Sequence, residues 1–442
     1  MRLDAVGGSE PSRSADRGRS AMPSSGSMRA QIGTLIVATS GIQIANGFFG
    51  TFISLRVALE NFEATTAGLV LSSYFVGFTV GAVSCGRILE RIGHIRVYAA
   101  FAGLVVAATA AMPLLVGPLP WLVLRAVVGF GCAGLFVTTE SWLNAKARPS
   151  ERGRVFSVYM VGTFVALALG QLLIGWVEVT TSTPFNIIAS LFAVALVMVS
   201  ATRAEPPRVP AAAILPLSQL SRAAPLAVVG CALSGLIASA FYALVPAWMQ
   251  GEGIERATIG LFMLTTVLGG LLFQVPVGRL SDRFDRRVVL SVLGIGFAAA
   301  ALALVHLPHT LLVIEPAAVL LGGFMSTLYP VCVAHALDRM PADRVVAVSS
   351  RLILMNGLGS ALGPLIGMSL MRRFDIDGVF YLMAAAAGLL AVLAATRSLT
   401  TLPPPHLARS FEILTPQATP LAHDPFGSSD ETPPREGATE AG

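Results

Sequence analysis

Apolar residues fall along the chain in long, nearly continuous runs, each long enough to cross a bilayer at about 20 residues. Twelve such runs lie near 32–55, 67–88, 97–116, 120–145, 153–177, 184–202, 224–250, 258–279, 288–307, 311–337, 345–371 and 378–396. Short stretches containing Arg, Gly and Pro separate them. The pattern predicts an all-α polytopic membrane protein with twelve transmembrane helices. The first run follows Arg29, as a secretory signal would, but it is longer than the roughly 7–15-residue core of a signal and leads into a multi-span chain. It is read as a retained helix. Both ends, 1–28 and 398–442, are rich in Pro, Ser, Gly and charge without periodicity, which predicts disordered tails.

Composition agrees with this class. Of 442 residues, 54% are hydrophobic and 12% charged, too few polar side chains for a water-facing surface. The basic residues are 29 Arg and one Lys, Lys146. An even number of spans puts both ends on one side. On that basis 25 basic residues stand with the termini, four stand opposite (Arg56, Arg256, Arg372 and Arg373), and Arg125 lies inside a run. The positive-inside rule then predicts cytoplasmic termini. The net charge of +5 follows from this topology and asks for no nucleic-acid partner. Cys85, Cys132, Cys231 and Cys332 stand singly, without C-x-x-C spacing, and read as small buried hydrophobes. No disulfide, metal or cofactor is expected.

An internal repeat organises the chain. "GRILERIGHIR" starts at Gly86 and "GRLSDRFDRRV" at Gly278, a shift of 192 that pairs Arg87, Glu90 and Arg91 with Arg279, Asp282 and Arg283. The same shift pairs Pro149, Glu151 and Arg152 with Pro341, Asp343 and Arg344 in a second loop. In the first run Gln43, Gly47, Gly50 and Ser54 share one helical face, with Gly235, Ser239, Tyr242 and Pro246 as counterparts. Ser73 and Gly77 map to Thr265 and Gly269, where close helix packing is the expected role. Gln43, Asn46 and Tyr242 are too polar for packing alone and predict a water-accessible cavity wall. The chain therefore divides into a six-helix bundle over 29–203, a linker over 204–223 and a second six-helix bundle over 224–397.

The repeated loops resemble the G-x-x-x-D-R-x-G-R-R signature of the major facilitator superfamily, placed after the second and eighth helices as in that family. "SSYF", "ESWLN", "RGRVFSVYM", "GQLL" and "LYPV" are similar to a little-characterised branch of bacterial inner-membrane transporters. The resemblance covers about residues 30–397. It implies the major facilitator fold, a bacterial inner membrane, and loops that gate the cytoplasmic side: Gly86, Glu90, Arg91 and Gly93 in the first copy, Gly278, Asp282, Arg283, Arg286 and Arg287 in the second. Three positions depart from the signature: Glu90 stands in the Asp place, Ile95 in that of the second basic residue of the first copy, and Asp285 in that of the second glycine of the second copy. The plainer reading of these loops is positive-inside anchoring.

Within "RAVVGFGCAGLFVTTESWLN", Gly129, Gly131 and Gly134 spell G-x-G-x-x-G. A dinucleotide site would need a preceding strand, and apolar helix flanks this run on both sides. Contact with a neighbouring helix is the expected role. Arg125 resembles the family's fourth-helix R-x-x-x-G arginine, which implies a place near a coupling site. The alternative is snorkelling to the interface near Pro120. Glu140 lies 15 residues on, about 22 Å along the helix. A carboxylate in apolar surroundings suits reversible proton binding, whereas a nearby Arg keeps it ionised. Pairing with Arg91 or Arg152 in a gate is an equal alternative. At a shift of 192, Arg125 and Glu140 meet Ala317 and Cys332, so the fold requires neither charge.

Asn144, Gln171, Gln274, Tyr329 and Asn356 are further polar residues in membrane runs, suited to substrate or to helix–helix hydrogen bonds. The expected function is secondary transport of a small organic molecule by alternating access, with proton coupling and efflux of a drug or metabolite as its forms. The central site is expected among the first, fourth, seventh and tenth spans. Expected partners are the substrate, the proton and the bilayer, with the protein a monomer. A receptor or accessory protein on the same fold is the alternative. No phosphate-binding loop or hydrolase motif appears, so an enzyme is not expected.

Overall fold

The computed structural model describes residues 25–148, 150–201, 215–341 and 344–400. Residues 1–24 and 401–442 of the expected tails, and 204–214 of the expected linker, lie outside them. Six helices come first: α1 (Ser25–Leu59), α2 (Ala64–Ile92), α3 (His94–Ala111), α4 (Pro118–Lys146), α5 (Arg152–Gln171) and α6 (Thr183–Ser200). A 3-10 turn, Leu172–Trp176, extends α5. A short α7 (Leu217–Ala223) leads into α8 (Pro225–Gly251), α9 (Arg256–Arg283), α10 (Arg286–His306), α11 (Leu311–Leu337), α12 (Val345–Arg373) and α13 (Gly378–Thr400). All but α7 are long and apolar enough to cross a membrane, and no strand occurs among the described residues.

Each expected run lies within or close to one of these helices. Once nucleated, a helix gains a hydrogen bond for each residue added, so α1 reaches back to Ser25 and α13 on to Thr400, into the stretches expected to be tails. Part of the expected linker is helical as well: Leu220 of α7 is buried, and Arg351 Nε donates to the Leu215 carbonyl at 2.6 Å. Prolines occupy the first turns of α4, α6 and α8, where a missing N–H costs nothing. Val194, Val197, Val292 and Ile295 point outward, as side chains facing lipid tails can.

Close backbone crossings hold each bundle together. Gly77 of α2 lies against Ala126 of α4, and Gly129 lies against Tyr74, where an added β-carbon would stand 2.0 Å from the Tyr74 carbonyl oxygen. Gly131 and Gly134 face Val105 and the Phe101 ring of α3, so all three glycines of the G-x-G-x-x-G run are packing residues. Gly129→Val is expected to overpack this crossing by about 1–3 kcal/mol, read as a lower thermal midpoint in detergent. Gly103→Ala, with open space around its β-carbon, should leave the midpoint unchanged or raise it slightly.

The crossings also correct the single shift of 192. It holds between α2 and α9, where Gly77 corresponds to Gly269, but α4 matches α11 at 193, Gly129 with Gly322. Gly47 rests on Leu167 and Gly170 on Ile44; likewise Gly235 rests on Asn356 and Gly359 on Ala232. These contacts match α1 to α8 at 188 and α5 to α12 at 189. The loops that gave 192 fix only the helix ends next to them, whereas the backbone crossings fix each helix separately. The counterparts of Arg125 and Glu140 therefore become Ala318 and Val333, still uncharged. Asn46 now pairs with Ser234, and Thr51 with Ser239.

The two repeated loops turn by different means. Gly93, between α2 and α3, has φ 81° and ψ 162°, backbone that suits glycine alone. Its counterpart Asp285 has φ −56° and caps α10, its Oδ1 accepting the Arg287 N–H at 2.9 Å. The departure from the family's glycine is thus a second solution to the same turn. Gly93→Ala is expected to cost about 1–3 kcal/mol, and Asp285→Asn less, since asparagine also caps. Hydrogen bonding to the Arg287 side chain holds the Asp285 carboxyl below the usual carboxylate range. A lowered folded value stabilises above the unfolded one and is lost as pH falls through the folded value. The gap in thermal midpoint between wild type and Asp285→Asn should therefore narrow below about pH 4.

Candidate substrate site

A cavity of about 150 Å³ lies between the bundles, comparable to one that holds benzene. The first bundle lines it with α1, α2, α4 and α5, the second with α8, α11 and α12. The four helices expected there, now α1, α4, α8 and α11, all contribute. Phe49, Phe75 and Phe78 make much of the apolar wall. Opposite them stand Tyr242, Tyr329 and Asn356, whose Nδ2 donates to the Cys231 carbonyl at 3.2 Å. Thr51 and Gln171 also line the cavity and are joined by a hydrogen bond from the Thr51 hydroxyl to Gln171 Oε1.

Of the expected residues, Arg125, Asn46, Gln171, Tyr242, Tyr329 and Asn356 line this space. Gln43, Glu140, Asn144 and Gln274 do not. Gln43 lies one turn before Gly47 and supports the wall from behind, accepting from Asn46 Nδ2 at 3.3 Å. Asn144 stands near the far end of α4, half-buried, and Glu140 lies inside the first bundle. Neither lines the cavity, although Glu140 lies near Tyr329, which does.

Arg125 is 5% exposed and does not snorkel. Its guanidinium carbon stands 5.0 Å from the Phe49 ring centre and 4.6 Å from that of Tyr74. The Gly129 crossing fixes the Tyr74 backbone, so helix packing presents one of the rings that hold this charge. Glu140 is 1% exposed and accepts a hydrogen bond from the Tyr159 hydroxyl at 3.3 Å. On the same side of the bundle His94 Nε2 and Ser141 Oγ are 3.0 Å apart.

Two ion pairs cross between the bundles, both on the face opposite the termini. Arg256 meets Glu178 at 3.2 Å and also donates to the Val177 carbonyl, and Arg372 meets Glu63 at 3.6 Å. Beneath them Gly175 packs on Ala257, Gly260 on Gln171, and Gly68 on Pro364 and Leu365. The repeated loops lie on the face of the termini. There Glu90, Arg91 and Arg283 are exposed and make no ion pair among the described residues. Asp282 meets Arg286 at 3.4 Å. Arg286 also pairs with Asp338 at 2.6 Å, and Arg287 with Asp285 at 2.6 Å and with the Arg397 carbonyl at 2.7 Å. Arg286 and Arg287 thus tie the loop to their own bundle. Gly86 and Gly278 sit within α2 and α9, each before its loop.

Tyr74, Ser234, Ser239, Ser326 and Ser360 also line the cavity and were not expected as site residues. Tyr74 adjoins Ser73, whose hydroxyl turns back to the Val70 carbonyl. A shift of 188 for the first helix would have found Ser234, as the partner of Asn46.

A sequence profile described as Major Facilitator Superfamily matches residues 35–263 and 227–426. The chain is 32% identical over 374 residues to the uncharacterized MFS-type transporter YcaD of Escherichia coli O7:K1, covering 84% of this chain and 95% of that relative. The corresponding protein of Shigella flexneri is 31% identical with the same coverage. Among solved structures, the nucleoside transporter NupG superposes with a TM-score of 0.69 at 12% identity, covering 84% of this chain and all of that one. A bacterial homolog of the human lysosomal transporter Spinster, inward-facing and unoccupied, gives 0.67 at 16% identity, covering 84% and 96%.

Proposed function

Because this chain belongs to the major facilitator superfamily, it is a multi-pass membrane transporter, and we propose that it carries a small organic molecule by proton-coupled alternating access. The cavity between the bundles supports this reading most directly, since it combines an apolar wall, polar groups from both halves and closure on one face. The division of arginines makes the termini cytoplasmic in a bacterial inner membrane, so the closed face is periplasmic. Rocking the bundles would break the periplasmic contacts and bring the cytoplasmic loops together. Glu90, Arg91, Asp282 and Arg283 are then the clamp of the opposite state.

Glu140 is the proton carrier in this scheme. It is the buried carboxylate of α4, and its Tyr159 partner can donate to it in either protonation state. The protein works as a monomer, each chain with its own central cavity, and efflux of an amphipathic compound suits the aromatic wall. The test is flux in proteoliposomes holding the full chain. A pH gradient should drive accumulation of the carried compound, and a protonophore should abolish it. Equal flux with and without the gradient would refute coupling.

A further inference from the structure

The cavity contains one formal charge and nothing to neutralise it. Arg125 is its cation, and no acidic side chain lines it among the described residues. Glu140 is about 22 Å along α4. A guanidinium carries five N–H donors, yet Nε of Arg125 has no acceptor, and the side chain makes no ion pair among the described residues. The Phe49 and Tyr74 rings meet its faces and stabilise the charge, each by about 0.5–2 kcal/mol. Rings leave the in-plane donors unmet. Removing an unpaired charge from water costs several kcal/mol, so the site is built to receive an acceptor.

We infer that the cavity binds an amphipathic monoanion, an aromatic or branched aliphatic monocarboxylate, with its carboxylate on Arg125; this rests on the transport reading of the same cavity. A carboxylate matches the guanidinium fork with two parallel hydrogen bonds. Its apolar body then lies along Phe49, Phe75 and Phe78. A dianion would find no second cation on the wall, and an organic cation would meet Arg125 with no carboxylate to offset it. A neutral amide offers one acceptor in place of two charged ones. The volume of about 150 Å³ fits a single ring or a short branched chain. Tyr242 and Asn356, from the second bundle, can hold a further polar substituent.

The test uses the purified full chain in nanodiscs and titrates benzoate, phenylacetate and 4-methylpentanoate beside their amides and the matching amines. Carboxylates should bind, with the amides weaker by about tenfold or more. Arg125→Gln should lose about 10- to 100-fold of carboxylate affinity and leave amide affinity nearly unchanged. Arg125→Lys, which keeps the charge and loses the fork, should fall between. Equal wild-type affinity for acid and amide would overturn the inference, and that comparison needs no variant to fold. So would unchanged carboxylate affinity in Arg125→Gln, or no carboxylate binding across the panel. Flux separates the two readings. Arg125-dependent binding of carboxylates without flux would refute transport and keep the anion site, whereas flux of a neutral or cationic compound without carboxylate binding would do the reverse.

Discussion

Bridging Glu178→Cys to Arg256→Cys with a short bifunctional thiol reagent is expected to stop transport. These side chains belong to different bundles, and both are exposed enough for reagent. The four native cysteines are buried, so the introduced pair should react selectively. The ion pair itself is a weak latch: exposed pairs contribute about 0–1 kcal/mol, so Glu178→Gln alone should alter flux by no more than a few-fold. A covalent bridge is different, since it prevents the face opposite the termini from ever opening. Flux should fall to the level of empty liposomes and return if the reagent is cleavable and is cut. Full transport by the bridged protein would show that this face need not part.

Replacing Glu140 should separate coupling from carriage. Glu140→Gln keeps the shape and the hydrogen bond from Tyr159 but removes the proton site, so gradient-driven accumulation should drop by more than about tenfold. Exchange of substrate across the membrane without net proton movement should continue. Tyr159→Phe removes one hydrogen bond to a charged acceptor, about 1.5–3 kcal/mol, and should displace the pH dependence of accumulation. If both variants lose exchange and gradient-driven flux in proportion to a lowered thermal midpoint, Glu140 is structural.

The twelve spans were legible because each is a continuous apolar run, and bilayer thickness sets how long such a run must be. Arg125 was legible for the converse reason, as a charged residue inside one. The cavity wall was only partly so. Gln43 and Asn46 are three residues apart on one helix, and sequence polarity cannot say which faces the space and which supports it. The structure puts Asn46 on the wall and Gln43 behind it. Glu140 and Asn144 share a helix with Arg125 but not its surroundings. Ser234 was hidden by the register: loops dominated by arginine and glycine gave a shift of 192, while the crossings of α1 with α5 and of α8 with α12 follow 188 and 189.

That difference in register gives the two halves unequal lever arms. Measured from the matched crossing glycines, α8 runs to Gly251 from Gly235, four residues farther than α1 runs to Leu59 from Gly47. At 1.5 Å per residue this is about 6 Å of extra helix. When the bundles rock as units, the longer α8 carries its outer end farther from the crossing and so through the wider arc. The side of the entrance near α8 and its connection to Arg256 would therefore clear a passing molecule before the side near α1, so the outer mouth would open asymmetrically, like a door hinged on the first bundle.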